Sequence, residues 1–466
     1  MDKKTRQKRS WAMAGVILGL AWPTMLEQVM QTAVQYIDTA MVGALGTQAT
    51  AAVGATSTVG WLVFSTVSAI GTGFLAVIAR ACGADDRSAA RHIASQAVLL
   101  VLVTGTVFTV LTLSLSGRIP VWMQVDKGIQ KLASTYFFIL YLPMLPRTAS
   151  SIFGTVLRAA GDTKTPMKVG VIVNIINVVL NFLLIYPVRT VSLFGLDVTI
   201  PGAGLGVIGA AVASAAAYAW GGLHSTVVLW RHPLVSPRGQ RLRPDRKILK
   251  SCMRITLPNM LQRFGTSLGY VAFASMINSI GEVATAAHTI ANTVESAFYI
   301  PGYGMQTAAA TLAGNAYGAR DGRRMKSLAS MFIPIEIALM VLSGTALFVS
   351  APVLVGLFSD NSQVIALGSN VLRMVAVSEP LYGFSIIIEG MMLGVGKTKA
   401  PFLFNLTGMW GVRIVCTFFC TQRMGMGLTA AWACMIAHNM LLFVLYLVCY
   451  LRGTWNPLKE ENENPC

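Results

Sequence analysis

The chain alternates long apolar runs with short polar segments, and this alternation predicts a membrane protein. A helix that crosses a bilayer needs about 20 mainly apolar residues. Twelve runs meet that need, near 13–40, 51–79, 93–116, 132–156, 167–187, 205–230, 255–278, 286–314, 328–350, 364–388, 401–421 and 428–451. The longest polar stretch, 231–254, is far too short for a large soluble domain. The pattern therefore predicts twelve transmembrane helices.

Composition and charge support the same class of protein. Hydrophobic residues make up 54% and charged residues 12% of the 466 residues, whereas soluble domains carry about 25% charge. The net charge of +17 does not indicate nucleic acid, because 27 of the 36 Lys and Arg lie in the termini and in alternate loops. Basic loops mark the cytoplasmic side. We therefore expect a multi-pass protein of the inner (plasma) membrane with both termini cytoplasmic.

The two halves of the chain resemble each other at one constant offset in the numbering. The segment 23–26 (PTML) recurs as 258–261 (PNML), and Gly161, Thr163, Lys164 and Pro166 recur at the same offset as Gly396, Thr398, Lys399 and Pro401. Each half holds six predicted spans, so both halves enter the membrane from the same side. Parallel repeats of this kind typically form transporters with a substrate site between the halves.

These observations predict an all-α integral membrane protein of twelve helices in two six-helix lobes related by an internal parallel repeat. The N-terminal lobe would comprise residues 1–230 and the C-terminal lobe, with its tail, residues 255–466. Residues 231–254 would form a cytoplasmic linker. This arrangement predicts transport by alternating access and makes a channel a poorer interpretation.

Polar residues inside the predicted spans mark the candidate sites, because a charge near the bilayer centre costs about 2.5–3.5 kcal/mol. Glu27, Gln31 and Asp38 share one face of the first span, beyond a predicted kink at Pro23. Asp38 is the strongest functional candidate among them.

The fifth and eighth spans carry two further polar faces. An amide oxygen can coordinate a cation or accept a hydrogen bond from a protonated acid, so two amides of the fifth span are candidates for ion coupling; hydrogen bonding between helices is the alternative. The ion-coupling candidates of this span are Asn177 and Asn181, and Asn174, one turn earlier, is a candidate for substrate binding. The face of the eighth span, which could contact substrate, carries His288, Asn292, Glu295, Tyr299 and Gln306. For Glu379 and Glu389 in the tenth span, a structural or gating role is as good an interpretation as binding.

The sequence motifs that would indicate nucleotide binding, a metal site or catalysis are incomplete or absent. The glycines at 204, 206 and 209 match the spacing of a dinucleotide fingerprint, but no strand precedes them and they open a predicted span. The five His and seven Cys show no metal-ligand spacing. Since no nucleophile–base pair is evident either, we expect a transporter without cofactors, driven by an ion gradient, and not an enzyme.

Three segments, in order and together with the repeat, resemble the multidrug and toxic compound extrusion (MATE) family. They are DTAMVG at 38–43, LRAAGDTKTP at 157–166 and AGNAYGA at 313–319. The resemblance spans essentially the whole chain. It implies a two-lobed exporter that exchanges organic cations for protons or sodium.

The resemblance also implies roles for individual residues of an ion-responsive cavity in the N-terminal lobe. Asp38, Asn177, Gln31 and the kink residue Pro23 match the family pattern, and Ser214 matches a frequent hydroxyl position. Asn181 stands where the family often has an Asp. This departure makes a two-carboxylate sodium site doubtful and favours Asp38 as the main titrating group, although sodium at Asp38 stays open.

The function that we expect is secondary active export of organic cations and amphipathic drugs in exchange for protons or sodium. The expected partners are such small molecules and the lipid bilayer, with no nucleic acid, and the protein is expected to be a monomer. A flippase for lipid-linked saccharides is the alternative. Only four basic residues lie within spans, which favours cationic cargo over a pyrophosphate-linked lipid; they are Arg147, Arg263, Arg373 and Arg413.

Overall fold

The computed structural model describes residues 3–123, 125–193 and 196–459, which are almost entirely helical. The first half contains α1 (Lys3–Gly43), α2 (Thr47–Gly83), α3 (Arg87–Leu115), α4 (Ile119–Trp122), α5 (Lys127–Tyr141), α6 (Met144–Ala159), α7 (Lys164–Leu184), β1 (Pro187–Leu193), β2 (Leu196–Ala203) and α8 (Gly206–Arg231). The second half contains α9 (Arg246–Asn278), α10 (Glu282–Gly318), α11 (Gly322–Gly356), α12 (Ser362–Gly394), α13 (Lys399–Leu406), a π-helical segment Thr407–Ile414, α14 (Val415–Thr417), a second π-helical segment Phe418–Arg423 and α15 (Leu428–Arg452).

Nine helical segments of the described residues are long and apolar enough to cross a membrane. The predicted spans at 255–278 and 286–314 lie in α9 and α10, which carry more polar residues. Leu342 and Val349 of α11 are 70% and 71% exposed, as expected for side chains that face lipid. The helical membrane fold is confirmed, and the number of twelve spans stays a prediction.

The predicted span at 132–156 differs from the prediction, because it is broken into α5 and α6 at Pro143. Proline lacks the N–H that continues a helix, and its ring clashes with the preceding turn. The corresponding helix of the second half, α12, is continuous although it contains Pro380.

The internal repeat is visible in the bounds of the helices. The offset that relates the two halves of the sequence also relates the first residues of helix pairs, namely Thr47 and Glu282, Arg87 and Gly322, Lys127 and Ser362, and Lys164 and Lys399. The last residues of α1 and α9 correspond in the same way, and so do those of α2 and α10. The repeat that the sequence predicts is therefore a repeat of structure.

Turns between helices repeat at the same offset. Asp85 and Arg320 both have a φ of 53°, a left-handed conformation that residues other than glycine seldom adopt. Gly161 and Gly396 also have a positive φ, 89° and 80°. Left-handed residues commonly end helices, so these positions fix where corresponding helices stop.

A β-hairpin between α7 and α8 was not predicted, and it corrects the expectation that no strand precedes Gly204, because β2 ends at Ala203. Strands β1 and β2 pair antiparallel, and their sequences, PVRTVSL and LDVTIPGA, are rich in the β-branched residues that favour strands. A scan for runs long enough to span a membrane passes over such short strands.

The chain divides into two compact units, which we describe separately. One consists of 29–74 and 87–250, and part of its core is formed by Ile185, Val207 and Ala211. The other consists of 1–28, 75–86 and 251–466, with cores around Phe332 and Trp432. We call them the Asp38 unit and the Glu295 unit.

Within the Asp38 unit, the polar segment before α9 is held against α3. The Gln96 amide donates to the Arg243 carbonyl and accepts from the Asp245 N–H, both at 2.9 Å. His92 Nε2 lies 3.2 Å from Asp245 Oδ2. The backbone N–H of Lys247 and the His92 side chain lower the pKa of Asp245. These bonds anchor the end of the predicted linker.

Candidate functional site

The Asp38 unit contains a hydrogen-bonded cluster of side chains from three helices. Asn181 of α7 donates to Asp38 Oδ1 of α1 at 2.5 Å and lies 3.2 Å from Asn177 Oδ1. The Asn177 amide nitrogen donates to the Ser214 hydroxyl of α8 at 2.9 Å. Asn177 and Asn181 are 5% and 1% exposed. We call these four residues the Asp38 cluster.

The oxygen and nitrogen of the Asn177 amide can be placed in two ways, each of which suits one state of Asp38. In the orientation just described, the Asn177 oxygen faces Asp38, which suits a protonated carboxyl that donates a hydrogen bond. In the flipped orientation the amide nitrogen lies 2.8 Å from Asp38 Oδ1 and 3.3 Å from Oδ2, and the amide oxygen accepts from Ser214 at 2.9 Å. That orientation suits an ionised Asp38, because a carboxylate only accepts hydrogen bonds.

Three other predicted residues lie outside the Asp38 cluster: Gln31 and Glu27, candidates for ion coupling, and Asn174, a candidate for substrate binding. Gln31 is exposed, and Glu27 belongs to the Glu295 unit, as does the first part of α1 with Pro23. Asn174 lies one turn before Asn177, and its buried amide nitrogen has no hydrogen-bond partner among the described residues. The Asn181 oxygen is also buried and lacks such a partner, so the cluster retains a free acceptor for a donor or a cation.

Two residues of the Asp38 unit, Tyr136 and Arg147, were not predicted as site residues. The phenol of Tyr136, 9% exposed, lies within electrostatic range of both Asp38 and Arg147. The Arg147 guanidinium lies over the ring of Tyr218, at 4.4 Å from its centroid, and at 5.5 Å from that of Tyr141. Sequence reasoning counted Arg147 among the basic residues within spans, but no spacing connects it with tyrosines on α5 and α8.

The Glu295 unit contains a second charged site. Glu295 of α10 is 6% exposed and interacts electrostatically with Arg413. Arg413 lies in the π-helical segment Thr407–Ile414, is 3% exposed, and stacks at 4.2 Å and 4.9 Å from the ring centroids of Phe273 and Tyr270. π-Helical turns are frequent at functional sites. Arg413 was recognised only as a basic residue within a span.

Two further acids accompany Glu295. Glu379 of α12 lies within electrostatic range of both Glu295 and Glu336. Glu336 of α11 is fully buried, and neither of its carboxyl oxygens has a hydrogen-bond partner among the described residues. Three acids on three helices therefore share the interior of this unit, and we call them the acidic cluster. No base among the described residues pairs with either Glu336 oxygen.

Packing buries some residues of the predicted polar face of α10 and leaves others exposed. Glu295 and His288 are buried, and His288 Nδ1 accepts from Trp432 Nε1 at 3.3 Å, whereas Asn292 is exposed. Tyr299 stacks edge-on against Tyr303, with ring centroids 5.8 Å apart. Gln306 lies against Gly390 of α12, where a Cβ would come within 2.7 Å. Within this face, Glu295 belongs to the acidic cluster, and Tyr299 lies within electrostatic range of Glu295 and Glu379.

Glu389 belongs to a hydrogen-bond network that joins four helices. Its Oε1 accepts from Gln262 of α9 at 2.8 Å and from Asn405 of α13 at 3.2 Å. Asn405 also donates to the Tyr446 hydroxyl at 3.3 Å. Buried carboxylates with several donors commonly fix helices in place, so this contact pattern favours the structural interpretation of Glu389.

Comparison with known proteins gives a family match in both halves. The MatE family model matches residues 23–183 and again 258–419. The chain is similar to the probable multidrug resistance protein NorM of Thermotoga maritima, with 27% identity over 439 residues that cover 94% of this chain and 92% of that protein. It is also similar to the probable multidrug resistance protein YoeA of Bacillus subtilis, with 24% identity and coverage of 88% and 87%.

Solved structures with the same fold extend over nearly the whole chain. A crystal structure of MATE in complex with MaD3S matches with a TM-score of 0.87 and 23% identity, covering 96% of this chain and 97% of that one. An outward-facing conformation of a multidrug resistance MATE family transporter of the MOP superfamily matches with a TM-score of 0.86 and 23% identity, covering 96% of both chains.

Proposed function

The chain belongs to the MatE family of membrane transporters and is not an enzyme, and on this premise we propose that it is a secondary active multidrug exporter. It would move organic cations and amphipathic drugs out of the cell in exchange for protons. The names of its relatives support drugs as the cargo. The observation that carries the coupling proposal is the Asp38 cluster, in which one carboxyl is surrounded by neutral hydrogen-bonding groups.

The proposed coupling step is a protonation that reverses a chain of hydrogen bonds. With Asp38 ionised, the Asn177 amide donates to the carboxylate and accepts from Ser214. With Asp38 protonated, the carboxyl O–H donates to the Asn177 oxygen, and the amide donates to Ser214. One proton would thus reorient groups on three helices. Asn181 contributes no second negative charge, so that proton would neutralise the cluster.

Transport would follow from movement of the two lobes predicted at 1–230 and 255–466, connected by the linker at 231–254. Parallel repeats in transporters commonly expose a central site alternately to the two sides of the membrane. Protonation of Asp38 would reorganise the first helix near Pro23 and release cargo outward. Sodium bound by Asp38 and the Asn181 oxygen is the second candidate for the coupling ion, supported by that unpartnered acceptor.

Purified protein in proteoliposomes tests the proposed function. We expect a fluorescent cationic drug to be exported when a proton gradient is imposed with equal sodium on both sides. A sodium gradient at constant pH should drive no transport. The reverse result would assign sodium as the coupling ion, and transport under neither gradient would contradict secondary active drug export.

We expect Glu295 to strengthen the binding of positively charged substrates. Glu295→Gln removes an embedded negative charge, and we expect about tenfold weaker binding of a quaternary ammonium compound, equivalent to about 1.4 kcal/mol. Its uncharged tert-butyl analogue should bind within about twofold of the wild type. Glu282→Gln, at the exposed start of α10, is the matched control. Equal loss of both ligands would assign Glu295 a structural role.

The proposed orientation places the segment before α9 in the cytoplasm. In a variant whose seven cysteines are replaced by serine, a single cysteine at exposed Arg241 should resist an impermeant maleimide added to intact cells. Arg241 is preferable to Gly239, whose φ of 76° strains other residues. A cysteine at exposed Lys127, on the opposite side, should react. Labelling at 241 instead of 127 would reverse the orientation.

A further inference from the structure

Hydrogen bonds hold the polar segment between α8 and α9 against the Asp38 unit. Near its start, Arg91 Nη2 of α3 donates to the Pro233 carbonyl at 2.9 Å. Near its end, Gln96 of α3 bonds the backbone of Arg243 and Asp245. A segment that served only as a flexible connection would not require these bonds, so its backbone follows a defined path over the protein.

Basic side chains along this path are exposed and have no partners. On this segment and the first two turns of α9 they are Arg238, Arg241, Arg243, Arg246, Lys247 and Lys250. None of these side chains forms a hydrogen bond or an ion pair among the described residues. The one acid between them, Asp245, accepts from the backbone N–H groups of Lys247 and Ile248 and contacts His92. The charge that balances these six groups therefore comes from outside the protein. We call them, together with Leu242, the basic surface.

Leu242 adds an apolar side chain to these charges. It lies between Arg241 and Arg243 and is 47% exposed. A single exposed leucine is normal on a protein surface, and this one acquires meaning only from the charges on both sides of it. Basic residues beside exposed apolar side chains are typical of segments that lie at the headgroup level of a membrane.

The place of the basic surface in the chain favours a lipid as its partner. Helix α8, long and apolar enough to cross a membrane, ends at Arg231, directly before the segment. In the proposed orientation this end faces the cytoplasmic leaflet, whose anionic lipids attract clusters of about four to eight Lys and Arg beside a membrane span. Guanidinium groups bind phosphate oxygens through parallel N–H groups. A phospholipid offers both a phosphate for the arginines and acyl chains for Leu242.

We propose that the basic surface binds the phosphate groups of anionic phospholipids, with Leu242 inserted beside the headgroups. This partner is additional to the proposed drug cargo and does not depend on the coupling ion. The bound lipid would attach the segment between the predicted lobes to the membrane surface.

Competition between two lipids that differ only in the headgroup tests the basic surface. Purified full-length protein in a neutral detergent is titrated with phosphatidylglycerol and phosphatidylcholine of identical acyl chains, and native mass spectrometry measures the bound lipid. We expect wild-type protein to bind phosphatidylglycerol at least about tenfold more tightly than phosphatidylcholine. Joint replacement of Arg238, Arg241 and Lys250 by Gln should reduce this preference to about twofold or less.

A second basic segment provides the matched control. Replacing Arg323, Arg324 and Lys326 of α11 by Gln removes the same number of charges and should leave the preference for phosphatidylglycerol unchanged. Equal loss in the two triple variants, or equal binding of the two lipids by the wild type, would overturn the proposal. If the first triple variant does not fold, Arg241→Gln alone should weaken phosphatidylglycerol about threefold.

Thermal unfolding distinguishes a lipid from a soluble anion. Phosphatidylglycerol should raise the unfolding temperature of the wild-type protein, because a ligand stabilises the folded state that binds it. Inorganic phosphate alone should not, since it offers nothing to Leu242. Equal stabilisation by phosphate would assign the surface to a soluble anion and contradict the proposal. No drug or ion gradient enters these measurements, so their result is independent of the proposed export.

Discussion

Asp38→Asn is expected to reduce proton-driven export by about 100-fold while the protein still inserts and folds, a loss at the upper end of typical coupling between sites. Asparagine retains the shape of the protonated acid and keeps hydrogen bonds to the amides of Asn177 and Asn181. It cannot release a proton, so the cluster would remain in the state assigned to the protonated carboxyl. Export is measured in proteoliposomes as the initial rate under an imposed proton gradient.

This prediction has two controls. One is a direct binding measurement on Asp38→Asn, and the other is a substitution of a second acid on α1. Binding of a cationic drug to Asp38→Asn should survive, because Glu295 belongs to the other unit. Glu27→Gln, on the same helix α1 but in the other unit, should lower export by no more than about threefold. Wild-type export by Asp38→Asn would exclude Asp38 as the coupling residue and direct attention to the acidic cluster.

Arg413→Met should have the largest effect on stability, a loss of about 3 kcal/mol in the free energy of unfolding, because removing one member of a buried charge pair typically costs about 3–5 kcal/mol. The substitution removes the stacking partner of Phe273 and Tyr270 and leaves the buried Glu295 without its base. The remaining charge is then uncompensated. Chemical unfolding in mixed micelles measures the change.

A double substitution distinguishes the stability lost with the charge pair from the stability lost with the packing of Arg413. In the Arg413→Met background, Glu295→Gln removes the unpaired acid and should recover about 1 kcal/mol or more, a coupling typical of interacting residues. Arg373→Met changes an exposed arginine and should cost about 0.5 kcal/mol or less. Additive losses in the double variant would mean that Glu295 and Arg413 do not compensate each other.

The sequence predicted those features that recur along the chain. The constant offset between the halves placed corresponding helices correctly, and the regular spacing of amides placed Asn177 and Asn181 on one face of α7. Ser214 came only from the family resemblance, since no periodicity links α7 with α8. The break at Pro143 was missed because the apolar run continues through it.

Contacts among several helices could not be predicted from spacing. Arg147 meets its two tyrosines only through the packing of α5, α6 and α8, and the acidic cluster joins α10, α11 and α12. The predicted polar face of α10 included both Glu295 and Asn292, and their spacing alone does not distinguish them. Neighbouring helices bury one and leave the other exposed, so periodicity identified the face without ranking its members.

The repeated turns also bear on how the gene arose. Duplication of a half-length gene copies turns and charges alike, yet the charges of the two sites no longer match: Asp85 and Arg320 share one backbone conformation, whereas Asp38 corresponds to Phe273 and Arg147 to Tyr382. The charged residues of the two sites therefore diverged after the duplication. An ancestor with identical halves would have carried the same charged residues twice. These residues could then change separately in each copy, because the helix ends already fixed the backbone.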